Sequence, residues 1–305
     1  MNRIPALAAA LAATMIAGTA QASAENRWAA SIAQDQAAMK PADRTISYGQ
    51  DPLQKLDFWQ AKGGKSPDGK DAPLIIFVHG GGWQRGDKSN ATGHWKVEHY
   101  PAEGYAFASV NYRLVPRATV EQQAQDVADA LKALIDRSDK LGIDRSRIVL
   151  MGHSAGAHLV ALVGTDERYL KKAGLSFADV AGVIPIDGAA YDVPAQMADA
   201  GRFMLPTYRQ AFGTDAARQR LLSPTLQAMP PDAGHFLLLH VQRRDGIMQA
   251  QALAEALREA GTSVEVESFP GRGLRGHREI NQRLGDPDYP ATRVVDAWLK
   301  GLFGN

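Results

Sequence analysis

The chain has 305 residues, 45% of them hydrophobic and 22% charged, with a formal net charge of +1 and no cysteine. That composition excludes a disordered or fibrous chain and leaves enough apolar material for one large core. The balanced charge, with no run of lysine or arginine, gives no global field for nucleic acid or an anionic membrane, so the expected partner is a small molecule.

Residues 1–24 read as a signal peptide. Arg3 opens the segment with positive charge, Ile4 to Ile16 is mostly alanine and leucine, and Ala22-Ser23-Ala24 supplies small residues for cleavage. Pro5 and Thr14 interrupt the apolar stretch, which is too short to span a bilayer comfortably. The expectation is a mature chain from Glu25, exported to a periplasm or secreted. Without cysteine there is neither a disulfide frame nor a lipid-modified anchor, so no stable membrane anchor is expected.

Residues 25–305 read as one α/β domain. Ile46 to Trp59 suits an antiparallel edge pair, and Gly63 to Asp71 a polar loop. Leu74–Val78, Ala106–Val110, Ile148–Met151, Val183–Ile186 and Phe236–Leu239 are short, nearly continuous apolar runs, as strands buried on both faces require. Between them, Val120 to Leu141 and Ala250 to Ala260 carry apolar residues at helical spacing. The pattern predicts a mostly parallel central sheet with helices on both faces. Tyr191 to Pro231 has no clear period and carries Met197, Met204 and Met229 among its prolines; a cap over a site and a surface excursion both fit.

The strongest chemical signal is Gly152-His153-Ser154-Ala155-Gly156, between the strand ending at Met151 and a helix-like run from Ala157 to Val163. A serine on a strand-to-helix turn needs flanking glycines to tolerate strained backbone and close packing, so Ser154 is the candidate nucleophile. His79-Gly80-Gly81-Gly82-Trp83 follows the first buried strand, where backbone N–H groups can converge on a developing oxyanion. Gly81, Gly82 and Ala155 are the candidate donors.

A serine hydroxyl needs a base. Of the eight histidines only His277 lies beyond the last predicted crossover helix, on a glycine-rich loop after the expected strand Val264 to Phe269. His79 and His153 are expected to hold their own loops by local hydrogen bonds. The acid should follow a strand between serine and histidine. Asp245, shortly after His235 to Val241, is the first choice, although Arg243 and Arg244 beside it could make it half of a surface ion pair; Asp187 is the competitor. Asp126 and Asp129 read as solvated or packing residues on a helix.

From about Ile46 to the C-terminus the chain resembles the α/β-hydrolase superfamily, in the carboxylesterase branch with a His-Gly-Gly-Gly oxyanion loop. His79 to Trp83 together with Gly152 to Leu159 is similar to small feruloyl and acetyl-xylan esterases and to kynurenine formamidases. The resemblance implies an α/β-hydrolase fold and a triad on Ser154, Asp245 and His277. The acid loop departs from the family pattern, since Gly246-Ile247-Met248 follows where proline and a hydrophobic residue are usual. Trp83 is a candidate wall of the acyl pocket, a buried packing role being the alternative.

These readings predict a serine carboxylic ester hydrolase acting on small esters through an acyl-enzyme, with no cofactor or metal. An arylformamidase using the same groups is the nearest enzymatic alternative, and a ligand receptor on a hydrolase fold the alternative from another class.

Overall fold

The computed structural model describes residues 39–64 and 70–304. The expected signal peptide, residues 1–24, and the middle of the loop expected at Gly63 to Asp71 lie outside the described residues.

Eight strands form one sheet: β1 (Arg44–Ser47), β2 (Lys55–Trp59), β3 (Ala72–Val78), β4 (Ala106–Val110), β5 (Ile143–His153), β6 (Gly182–Ile186), β7 (His235–Gln242) and β8 (Ser263–Arg272). Their order is β1-β2-β4-β3-β5-β6-β7-β8. The β1–β2 and β2–β4 pairings are antiparallel and the remainder parallel. The edge pair expected from Ile46 to Trp59 is therefore present, and every apolar run read as a strand is one.

The helices in chain order are α1 (His94–Ala102), α2 (Val120–Ile135), α3 (Ser138–Leu141), α4 (Ala155–Thr165), α5 (Arg168–Lys172), α6 (Val193–Asp199), α7 (Leu205–Phe212), α8 (Ala216–Leu221), α9 (Pro224–Gln227), α10 (Arg244–Glu259), α11 (Gly273–Arg283) and α12 (Pro290–Phe303). Alternation along the strands sorts the core into two layers. Leu74, Ile76 and Val78 of β3 pack with α2, α4 and α10, while Ile75 and Phe77 face α1, α11 and α12.

Local chemistry sets the helix ends. Thr119 and Gln122 form a reciprocal capping box that starts α2. The single helix expected from Val120 to Leu141 stops at Ile135, where the apolar period gives way to Asp136-Arg137-Ser138, and only one further turn, α3, follows. Tyr191 to Pro231 holds α6 to α9, with Pro194, Pro206 and Pro224 in first turns and Asp192 and Asp215 capping α6 and α8.

Asp126 is not solvated. It is fully buried on α2, where it receives the Arg113 guanidinium at 2.6 Å and Gln54 at 2.8 Å.

Candidate active site

The parallel strands end together, and the loops that follow β3, β5, β6 and β8 meet at that edge. Ser154 is the single residue between β5 and α4, held at φ 56 and ψ −116, a strained conformation for a residue with a Cβ. Close packing explains the glycines around it. A Cβ on Gly156 would lie 2.0 Å from the Val78 carbonyl oxygen, and one on Gly152 would lie 2.3 Å from that of Gly156.

His277 Nε2 lies 3.0 Å from Ser154 Oγ, and His277 Nδ1 lies 2.5 Å from Asp187 Oδ2. Ionised Asp187 can only accept, so Nδ1 carries the proton and Nε2 is free to accept from the serine. The histidine is not on an open loop: it sits in the second turn of α11, which begins right after β8. That early start depends on contact between glycines, since a Cβ on Gly271 would lie 2.8 Å from the Gly276 Cα.

Asp187 follows β6 directly, is fully buried, and has φ 42. Its Oδ1 accepts from the Val241 amide at 3.1 Å. Burial pushes its carboxyl up, but the His277 hydrogen bond, the Arg243 cation, the charge on His277 and the Val241 amide outweigh it and bring the group down to about 2.

Asp245 does not reach the histidine, which corrects the expected assignment of the acid. It is the second residue of α10 and accepts from Arg243 Nη1 at 2.5 Å, while Arg243 Nε lies 3.3 Å from Asp187 Oδ2. The arginine thus stands between the two carboxylates, and of the two it is Asp187 that bonds to His277. Among the carboxylates weighed from sequence, the competitor takes the place of the first choice.

The loop after β3 passes close to the same serine. A Cβ on Gly80 would lie 3.0 Å from Ser154 Cβ, so the backbone passes in van der Waals contact with the nucleophile. Gly81 and Gly82 have φ 138 and φ 61. Ala155 is the first residue of α4, and its N–H is one of the donors that a helix start leaves without an internal partner. Two of the expected donors, Gly81 and Gly82, thus lie on the loop that packs against Ser154, and the third, Ala155, follows the serine directly.

Trp83 does not line an open pocket, contrary to its expected substrate-binding role. It is 2% exposed, its Nε1 donates to His158 Nδ1 at 3.3 Å, and its ring centroid lies 4.8 Å from that of Phe212. A buried indole needs an acceptor for its one polar atom, and His158 supplies it. Trp83 packs the loop onto α4 and α7.

Of the two histidines expected to hold their own loops, one does and one does not. His153 Nε2 lies 2.8 Å from the His277 carbonyl oxygen, so it donates across to the base's backbone rather than to its own loop. Burial and the neighbouring His277 push His153 well below the ordinary imidazole range, against the pull of Asp187, which keeps it neutral. His79 does bond locally, to the Gly80 carbonyl at 2.8 Å, and stacks on Tyr112. Neither the His153 contact nor the Arg243 bridge had a sequence signal beyond proximity to a motif.

The family model BD-FAE matches residues 56–185, which span the loop after β3 and the serine turn. Esterase LipC of Mycobacterium tuberculosis is 32% identical over 241 residues, covering 75% of this chain and 59% of that protein. Kynurenine formamidase of Drosophila melanogaster is 37% identical over 92 residues, 30% of this chain and 29% of that one. The chain spans less than two thirds of the length of these curated relatives. The crystal structure of esterase B from Lactobacillus rhamnosis superposes with a TM-score of 0.71 at 23% identity, covering 93% of this chain and 94% of that chain. With the sheet order, the serine turn and these likenesses together, the chain belongs to the α/β-hydrolase superfamily, and it carries a His-Gly-Gly-Gly loop at residues 79–82.

Proposed function

We propose that this protein is a serine carboxylic ester hydrolase. The observation that carries the reading is the continuous relay from Ser154 Oγ through His277 to Asp187, at 3.0 and 2.5 Å. In this mechanism His277 Nε2 takes the serine proton as Oγ attacks the ester carbonyl, and Asp187 stabilises the imidazolium that forms. The amides of Gly81, Gly82 and Ala155 receive the oxyanion. Collapse expels the alcohol, which takes the proton from His277, and leaves an acyl group on Ser154. Water then attacks that acyl-enzyme with His277 again as base, releasing the acid.

The segment from α6 to α9 caps this site. Support comes from α7, where Thr207 Oγ1 accepts from Gln84 Nε2 at 3.3 Å and a Cβ on Gly82 would lie 3.0 Å from Thr207 Cγ2. The cap therefore rests on the loop that supplies two of the oxyanion donors, which suits a small ester as substrate. The leader-like residues 1–24 support export to a periplasm or medium, testable by finding an N-terminus at Glu25 in the exported fraction.

The test is intact-mass analysis after fluorophosphonate treatment, beside Ser154→Ala and an assay on short-chain p-nitrophenyl esters. One adduct, absent in the variant, together with ester turnover is the expected result; no adduct and no turnover would overturn the reading in favour of a receptor. The same groups would serve an N-formyl amide, and the 92-residue likeness to a formamidase favours that as the second reading. Preference for N-formylkynurenine over an acetyl ester would reverse the ranking.

A further inference from the structure

Arg243 makes more contacts with the acid than the histidine does. Its Nε approaches Asp187 Oδ2 at 3.3 Å, and its Nη2 donates to the backbone carbonyls of Asp187 and Gly188 at 3.1 and 3.0 Å. Its Nη1 donates to Asp245 Oδ2 at 2.5 Å. The guanidinium is 14% exposed, the Asp187 carboxylate fully buried and the Asp245 carboxylate 28% exposed. Space for this clamp depends on Gly246, where a Cβ would lie 3.1 Å from both Arg243 Nη2 and Asp187 Oδ1.

The backbone at Asp187 has φ 42, which a residue with a Cβ holds only when its surroundings fix it. Two of the fixing contacts come from one planar fork, a geometry that a lysine ammonium cannot reproduce. The fork also brings a cost. A cation beside Asp187 disfavours the imidazolium that the reaction forms on His277, and Asp245 offsets that cation from its other side.

We propose that Arg243 and Asp245 form a charge-neutral positioning pair: Arg243 locks the strained Asp187 turn, and Asp245 cancels the arginine's field at the base. The inference rests on the relay Ser154–His277–Asp187 being the catalytic one. The other groups facing His277 and Arg243 leave the balance unchanged. His153 from β5 is neutral, and Tyr191, Tyr208 and Tyr289 are raised by burial, the last two to about 12, so none of the three is charged near neutrality. Lys96 of α1, fully buried, adds to the electrostatic opposition to protonating His153 and is common to every variant.

The experiment is the pH profile of kcat/KM on a p-nitrophenyl ester for the wild type and for Arg243→Gln, Arg243→Lys and Asp245→Asn. Removing the cation makes the base easier to protonate, so Arg243→Gln moves the acid limb up by about half a pH unit. Leaving the cation uncompensated does the opposite, so Asp245→Asn moves it down by a similar amount. Arg243→Lys keeps the limb near the wild-type position but loses about ten- to hundredfold in kcat, because charge is retained without the fork.

Shifts in the same direction, no shift in either, or a lysine variant with wild-type kcat would overturn the proposal. Asp245→Asn alters only a partly exposed carboxylate, so its limb decides the charge question even if Arg243→Gln does not fold. A wild type with neither turnover nor a fluorophosphonate adduct would instead sink the catalytic reading, and this inference with it.

Discussion

Ser154 and Asp187 occupy equivalent positions at the ends of neighbouring strands: His153 and Ile186 are register partners, and the Ser154 amide donates to the Ile186 carbonyl at 3.0 Å. Nucleophile and acid are thereby fixed to one another through the sheet, and both have positive φ. His277 needs only to arrive from β8 and bridge them.

This placement predicts a sharp contrast between two isosteric changes. Asp187→Asn leaves the packing volume intact but removes the acceptor that sets the His277 tautomer, and kcat falls by about 10⁴-fold. Asp245→Asn should cost no more than about tenfold at neutral pH, since its carboxylate bonds to Arg243 and not to His277. Steady-state kinetics on one ester, with circular dichroism to confirm folding, checks both. Equal losses would put the acid back at Asp245.

The difficulty of choosing that acid from sequence has a physical origin. Both carboxylates follow β-rich runs within a few residues, and chain order allows either. What separates them is register, because β6 pairs directly with β5 whereas β7 lies one strand further out. Asp245 also continues past two arginines into α10, and no local pattern reveals that Arg243 turns inward. The buried strands were legible because each is an almost unbroken apolar run, and Ser154 because glycines at 152 and 156 are demanded by contacts of 2.3 and 2.0 Å. The helices from α6 to α9 were not, since they have seven, eight, six and four residues, too few to show a 3.6 period. Their proline and aspartate starts were the available signal.

The glycine contacts make a second prediction. Gly156→Ala forces a Cβ to within 2.0 Å of the Val78 carbonyl, and because that partner is sheet backbone the strain cannot be relieved by a rotamer change. A loss of about 1–3 kcal/mol or more is expected, with activity falling as the turn shifts. Gly301→Ala is the control. It lies inside α12 with nothing within 4 Å of its Cβ position, so it should stabilise by about 0.5–1 kcal/mol. Urea denaturation of both variants measures the pair, and similar midpoints would contradict the close approach.

Oxyanion donors give a third prediction, through backbone conformation. Gly82 sits at φ 61 with Thr207 directly above it. Gly82→Ala meets the Thr207 methyl at about the contact limit and disfavours the backbone that aims the amide, so kcat should drop by roughly a hundredfold with little change in KM. Thr207→Ser in the same background relieves the steric part only. Recovery of full kcat in the double variant would mean that crowding by the cap, rather than amide orientation, set the loss.

Acid sensitivity provides the last prediction, and its sign follows from the buried histidines. His158 and His79 are fully buried and pushed down to about 4 by burial, partly offset by the Leu222 and Gly80 carbonyls that they contact. For His158 the partners specify the neutral form: Nε2–H donates to the Leu222 carbonyl at 2.8 Å while Nδ1 accepts from Trp83. In the unfolded chain both rings protonate near 6.5, so below that pH the unfolded state binds more protons than the native state. Their stabilising contribution is complete above about pH 6.5 and is lost as the pH falls toward 4, at about 2 kcal/mol each between pH 7.5 and 5. Asp187 titrates lower, its contribution being lost only between about pH 4 and 2. His158→Gln keeps a donor for Leu222 but cannot protonate, so its stability should be lower at pH 7.5 yet fall by about 2 kcal/mol less than the wild type on going to pH 5. Denaturant midpoints for both proteins at the two pH values test this. Parallel losses would show that His158 takes up its proton in the folded protein, and that the Trp83–His158–Leu222 bridge under the oxyanion loop opens before the fold does.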